Sequence, residues 1–268
     1  FCNKAITIHE QLVKDHPDVP RHAGSLAMTC RRLGNMLTGL DRQEEAVAEF
    51  HKAIGILEQL VERHPDVPIY RYRLGGAYHG FGVTLSSLGK QQDAFEMYNK
   101  GVSISERLVK DYPDRTLYSE GLATSYNALG YVSSNLNNPI KSLDAYRKAI
   151  LTREQLVKDH PDVPHYAFGQ YYSYYQMGNL LQSIGDTGNS NTALNTSFTI
   201  AEQLTKNHPD VLKYKVALGD ASFSLGDSFE DLGDYDRAKT YLTKSVALFT
   251  IIIKDHPDVP MYASRLTL

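Results

Sequence analysis

The pentapeptide His-Pro-Asp-Val-Pro stands at His16–Pro20 and returns at His64–Pro68, His160–Pro164 and His256–Pro260. Variants fill the gaps at Tyr112–Thr116 and His208–Leu212, so the same punctuation recurs every 48 residues with no insertion or deletion. Glycine keeps that step at Gly34, Gly82, Gly130, Gly178 and Gly226. A fixed period of this size marks a stacked array, in which each unit buries its apolar face against its neighbours. Length alone would suggest about two domains; the period argues for a single array over 1–268. Its expected divisions are a partial second helix over 1–16, five units over 17–64, 65–112, 113–160, 161–208 and 209–256, and a partial first helix over 257–268. Neither end carries the polar capping unit that solenoids need, so the expectation is a segment of a longer array.

Within a unit the apolar spacing is helical. Ala46, Val47, Phe50, Ala53, Ile54, Leu57, Leu60 and Val61 form one stripe at 3.6 residues per turn. Leu26, Cys30, Leu33 and Leu37 form another, and Gly39–Gln43 lies between them as a polar turn. Each unit therefore predicts two antiparallel helices, A and then B. The pentapeptide reads as the break between units. Pro17 ends helix B because it has no N–H to continue the ladder. Pro20 opens helix A, where a missing donor costs nothing. Asp18 is expected to cap the free amides of helix A and meet the positive end of its dipole.

Composition narrows the function. The chain is 42% hydrophobic, with 28 basic and 31 acidic residues and a net charge of −3. That excludes a disordered polyelectrolyte and argues against wrapping nucleic acid, which needs clustered Lys and Arg. No apolar run reaches the ~20 residues of a membrane span, and no leader pattern opens the chain. Two cysteines cannot form a disulfide framework. The expected localisation is cytoplasmic.

Leu33-Gly34, Ala46, Phe50 and Ala53 reproduce the spacing of the tetratricopeptide repeat, as do Gly82, Ala94, Tyr98 and Gly101, and Leu129-Gly130, Ser142, Tyr146 and Ala149. Unit five keeps Leu225-Gly226, Ala238 and Leu242, while unit four departs with Ser190, Leu194 and Ser197. The sequence resembles that family over its whole length, with helices about two turns longer than usual. The Asp-His-Pro-Asp-Val corner resembles the long repeats of kinesin light chains, and similar arrays follow the kinase domains of some bacterial signalling proteins. The resemblance implies an all-α fold, a right-handed superhelical α-solenoid of antiparallel helix pairs.

Catalytic motifs do not survive inspection. His-Pro-Asp between helices resembles the J-domain signature, but a triplet shared by every unit belongs to the repeat. Corner histidines in neighbouring units are separated by about a helix-packing distance of 8–10 Å, too far to share a metal. Gly75-Gly76-Ala77-Tyr78-His79-Gly80-Phe81-Gly82 lies within a helix and lacks the Gly-Lys-Ser/Thr of a phosphate loop. These glycines admit two readings, close helix packing or a shallow pocket. Cys30 reads as a buried, inert thiol. No cofactor, metal or catalytic residue is expected.

In the repeats that this chain resembles, ligands meet the A helices on the concave face. Carried residue by residue, the resemblance places Arg31, Arg32 and Asn35 there in unit one, and Gly76, His79 and Gly80 in unit two. Unit three gives Thr124, Asn127, Ala128, Tyr131 and Asn135; unit four Tyr172, Tyr175, Gln176 and Asn179; unit five Asp220, Asp227, Glu230 and Asp231. Amides that both donate and accept suit a peptide backbone. Tyr172 and Tyr175, one turn apart, are expected to be exposed to ligand. Charge runs from Arg31 and Arg32, supplemented by Arg71 and Arg73, to the acids of unit five, and would orient a ligand of opposite gradient. The family's clamp for chaperone C-termini is incomplete: Arg31 and Asn35 match, but Gly80, Thr124 and Ala128 replace an asparagine and two basic residues. The expected function is a non-enzymatic scaffold for a protein or peptide. The alternatives are self-association through the incomplete ends, or a sensor arm of a larger signalling protein such as a kinase.

Overall fold

A computed structural model describes residues 2–257 and Val259. Among them the chain is all helix: α1 (Cys2–Asp15), α2 (Pro20–Gly39), α3 (Gln43–Arg63), α4 (Pro68–Ser87), α5 (Gln91–Asp111), α6 (Thr116–Asn135), α7 (Pro139–Asp159), α8 (Pro164–Ser183), α9 (Thr187–Asn207), α10 (Leu212–Asp231) and α11 (Tyr235–Asp255). The A helices are α2, α4, α6, α8 and α10, and the partial first helix expected over 257–268 falls almost wholly outside the described residues. The fold is an all-α solenoid of helix pairs. No helix among the described residues is long and apolar enough to cross a membrane.

Two compact units divide the chain at Ala145 and Tyr146, within α7. In the first, α2 packs on α3 and α4 on α5, and the A helices α2, α4 and α6 also touch in succession. In the second, α8 pairs with α9 and α10 with α11, with α8 against α10.

The repeated glycines are seams. A Cβ on Gly34 would lie 2.9 Å from the Phe50 ring, on Gly82 2.6 Å from Tyr98, on Gly178 2.7 Å from Leu194, and on Gly226 2.7 Å from Leu242. Each helix A is thus pressed onto a large residue of its own helix B, and Phe50 and Leu194 are fully buried there. Unit four keeps this packing despite its serines. Ser190 Oγ donates to the Gly178 carbonyl at 2.9 Å and Ser197 Oγ to Leu194 O at 2.8 Å, so the buried hydroxyls are satisfied.

The corner differs from expectation. Asp18 does not cap α2; the N-cap is Val19 at φ −104° and ψ 92°, and its side chain makes no capping bond. Val19 N donates to His16 O at 3.1 Å and His22 N to Val19 O at 3.0 Å, so backbone turns use the amides that a carboxylate would take. Pro20 offers none. Side-chain caps open B helices instead: Asp186 accepts from Asn189 N at 3.4 Å and Asp234 from Arg237 N at 3.1 Å.

The corner histidine has a packing role. His64 meets Tyr70, His160 meets Tyr166 and His208 meets Tyr214, each six residues on, with ring centroids 6.2, 5.9 and 5.9 Å apart. The A-to-B turn holds one left-handed residue per unit: Asp41 (φ 60°), Gly89 (74°), Asn137 (53°), Gly185 (80°) and Gly233 (75°). These are residue types that tolerate that conformation.

Candidate functional site: the A-helix faces

In the first unit, α2, α4, α5 and α6 border an open pocket of about 250 Å³ lined by Met28, Arg31, Tyr72, Arg73, Gly75, Gly76, His79, Ser105, Glu120, Gly121, Thr124 and Ser125. Of the residues expected from sequence, Arg31, Gly76, His79 and Thr124 meet in it. Arg31 leans from α2 onto α4, where a Cβ on Gly76 would lie 3.9 Å from its Nη1. Arg73 leans the opposite way, its Nη1 2.9 Å from where a Cβ on Gly24 of α2 would stand.

The electrostatics are unbalanced. Burial, and then Arg32 and Arg73, lower the Arg31 pKa from its ordinary value, opposed only by the Tyr72 hydroxyl. Its Nε is enclosed without a hydrogen-bond partner. Burial and then Arg31 hold the His79 imidazole below its usual range, and Nδ1 is likewise enclosed and unpartnered. Tyr72 is raised by burial and by Glu120. It leans over Gly121, with Cε2 3.3 Å from where a Cβ would stand, and meets the Tyr118 ring at 5.6 Å.

Other expected residues disperse. Arg32, Asn35 and Asn135 are exposed and Tyr131 is 48% exposed. Asn127 is buried, so it is not presented to a ligand. Arg71 does not add to the basic end; it pairs with Asp111 at 2.8 Å and lies over the Tyr112 ring at the corner. Arg73, two residues on and about 200° round the helix, does. The glycine run serves both readings. Gly80 admits the Phe50 ring and the Asn35 amide, 2.6 and 2.8 Å from where its Cβ would stand, while Gly75 and Gly76 line the pocket.

In the second unit, α8 presents Tyr172, 44% exposed, with Gln176 and Asn179 half-buried beside it. Tyr175 is not its exposed twin. It stacks on Tyr171 at 5.7 Å, receives the Ser224 hydroxyl at 3.4 Å and packs against the apolar cluster of α8, α9 and α10. On α10, Asp227 is half-buried while Glu230 and Asp231 are exposed. Burial, then those two acids, raise the Asp227 pKa from its ordinary value. Gln182 of α8 donates to Asp231 at 2.9 Å.

The sequence reading missed Tyr72, Glu120 and Gly121, which line the pocket from the second turns of α4 and α6. A glycine at 121 that admits an aromatic ring from 49 residues earlier was the available signal.

Family models described as tetratricopeptide repeat match residues 26–66 and 122–162 and 219–249. No curated protein matches the sequence. Among solved structures, BtubC (BKLC) from P. vanneervenii is similar with a TM-score of 0.74 at 16% identity, over 94% of this chain and 89% of that one. A putative kinesin light chain of Podosopora anserina with nearly identical repeats gives 0.57 at 15%, over 88% and 98%. The apo form of RapI gives 0.53 at 12%, over 85% and 84%. At these identities the likeness is one of fold.

Proposed function

The chain belongs to the tetratricopeptide-repeat family, and from that premise we propose that it is a non-enzymatic interaction scaffold holding an extended or helical peptide along its A-helix faces. The observation that carries the reading is the contrast within those helices. Their inward positions are apolar or small and buried, while Arg32, Asn35, Tyr131, Asn135 and Tyr172 stand exposed, Asn35 and Tyr131 at the same place of repeats one and three. Tyrosine supplies a rigid face with a polar tip, and amides pair with a peptide backbone in either sense. Within the first unit Arg31 and His79, and within the second Gln176, Asn179, Asp227 and Glu230, supply charge and polarity for ligand contacts.

The test is a pull-down that compares the unmodified chain with a Tyr172→Ala, Asn179→Ala variant and an Asn35→Ala, Tyr131→Ala variant. Tyr175 is left intact because it packs in the core. Loss of the same retained protein from either variant, with circular dichroism unchanged, supports the reading. Retention by both removes the A-helix faces from the binding surface.

A further inference from the structure

The pocket between α2, α4 and α6 is a side chain missing from the repeat. Residues 30 apart on helices A and B face each other, and one member of the pair is normally large: Leu57 opposite Ala27, Tyr171 opposite Ala201, Phe249 opposite Gly219. The Phe249 ring lies 2.7 Å from where a Cβ on Gly219 would stand. At the same register the second repeat has Gly75 and Ser105, both small, and Ser105 Oγ lies 3.7 Å from where a Cβ on Gly75 would stand. Ile104 Cγ2 at 3.7 Å and the Gly101 carbonyl at 3.8 Å border the same point, no large side chain reaches across from position 105, and the space beyond belongs to the pocket of about 250 Å³.

Two of the three charged side chains that line the opening are arginines, and the third is Glu120. Arg31 and Arg73 reach across the α2–α4 gap from opposite sides, each over a glycine. The charges that act on Arg31 are Arg32, Arg73 and Tyr72, with no carboxylate among them. Glu120, which also lines the pocket, acts on the Tyr72 hydroxyl. Two enclosed polar nitrogens, Arg31 Nε and His79 Nδ1, have no partner. A half-buried guanidinium beside another, without a counter-ion, is costly unless something anionic completes it.

We propose that this pocket takes one anionic side chain of a bound peptide, a carboxylate or a phosphate, held between the Arg31 and Arg73 guanidiniums with the Tyr72 hydroxyl and Thr124 at its rim. The volume admits such a group, since a water takes about 30 Å³. The geometry is not that of the family's clamp: Arg73 lies outside the clamp positions, and the floor is the Gly75–Ser105 gap. The proposal rests on the peptide-binding reading of this face for the source of the anion, and the test separates the two.

The chain, ¹⁵N-labelled in its arginine side chains, is titrated with inorganic phosphate and separately with acetate, with the Nε–H resonances followed by NMR. Resonances assigned to Arg31 and Arg73 by their loss in Arg31→Gln and Arg73→Gln are expected to shift together and saturate. Either substitution should weaken the anion about tenfold or more, as loss of a charge-assisted hydrogen bond does. Thr124→Glu keeps both arginines and brings a carboxylate to the rim, so it should move both resonances without added anion and block the titration. Shifts that do not saturate, or an affinity in all three variants equal to that of the unmodified chain, overturn the pocket. A stronger response to phosphate assigns a phosphorylated side chain; a stronger response to acetate assigns Asp or Glu. If the anion binds but the Arg31→Gln, Arg73→Gln double variant still retains every protein that the unmodified chain retains, the pocket stands and the peptide-binding reading of this face falls.

Discussion

The Tyr126 hydroxyl on α6 donates to Glu106 Oε1 on α5 at 2.6 Å, and the same bond recurs one repeat earlier between Tyr78 and Glu58 at 2.5 Å. In the second unit Tyr174 donates to Glu154 at 2.6 Å. Where the repeat has Cys30 or Ser222 instead of tyrosine, the glutamate turns to a lysine of the next B helix: Glu10 to Lys52, and Glu202 to Lys244. One carboxylate per unit thus ties the next helix pair in one of two ways, decided by a single residue of helix A.

Tyr126→Phe removes the hydroxyl and keeps the ring. Its melting temperature should fall by an amount corresponding to about 1 kcal/mol, the ordinary net value of such a bond. Lys52→Ala, which breaks an ion pair exposed on both sides, should barely move it. Differential scanning calorimetry of the two variants checks the ranking.

These tyrosines also set the alkaline limit. Burial, then the glutamate, raises the pKa of Tyr78 and Tyr126 and pushes Tyr174 up to about 12. A raised folded-state value means the stabilisation is complete below the unfolded-chain pKa of about 10 and is lost as pH climbs through the folded value. Ultraviolet titration should show a late tyrosinate step that coincides with loss of helical circular dichroism. A Tyr78→Phe, Tyr126→Phe, Tyr174→Phe variant should lack it.

Alanine at two helical glycines should act in opposite directions. At Gly82 the added methyl meets the Tyr98 ring at 2.6 Å, and overpacking of this kind costs about 1–3 kcal/mol. At Gly55 nothing lies within 4 Å, so relief of the glycine's backbone entropy should stabilise α3 by about 1 kcal/mol. Thermal melts of Gly82→Ala and Gly55→Ala test both signs.

Cys30 is fully buried, and burial, followed by a hydrogen bond with Glu49, pushes its thiol up to about 12. In a Cys2→Ser background it should not react with Ellman's reagent at neutral pH until the chain is unfolded in urea. Rapid reaction of the folded chain would contradict the packing of α1, α2 and α3.

Asp227 should be a liability at neutral pH. Its raised pKa means that the folded chain binds the proton more tightly, so its contribution falls as pH rises through the folded value. Asp227→Asn should therefore melt higher than the unmodified chain at pH 7 and lose that advantage in acid. An unchanged difference between the two pH values would reject the assignment.

The repeat period, the helix pairs and the Gly34, Gly82, Gly178 and Gly226 seams follow from sequence alone, because each rests on spacing along one helix or on a small residue that must face a large one 16 positions later. The A-to-B connection was legible as a polar turn over Gly39–Gln43; its left-handed residue, at Asp41, Gly89, Asn137, Gly185 and Gly233, came from the structure. Which polar side chains reach solvent was decided elsewhere. Arg71 and Arg73 differ by two positions, yet one is bound by Asp111 at the corner and the other opens onto the pocket. Asn127 and Tyr175 stand at the place in their repeats that Arg31 and His79 hold in the first two, yet Asn127 is buried and Tyr175 packs against an apolar cluster. A helix stripe fixes which side turns inward. How far the adjoining repeat covers its edges depends on side chains about 48 residues away in sequence, and only their packing in three dimensions settles it.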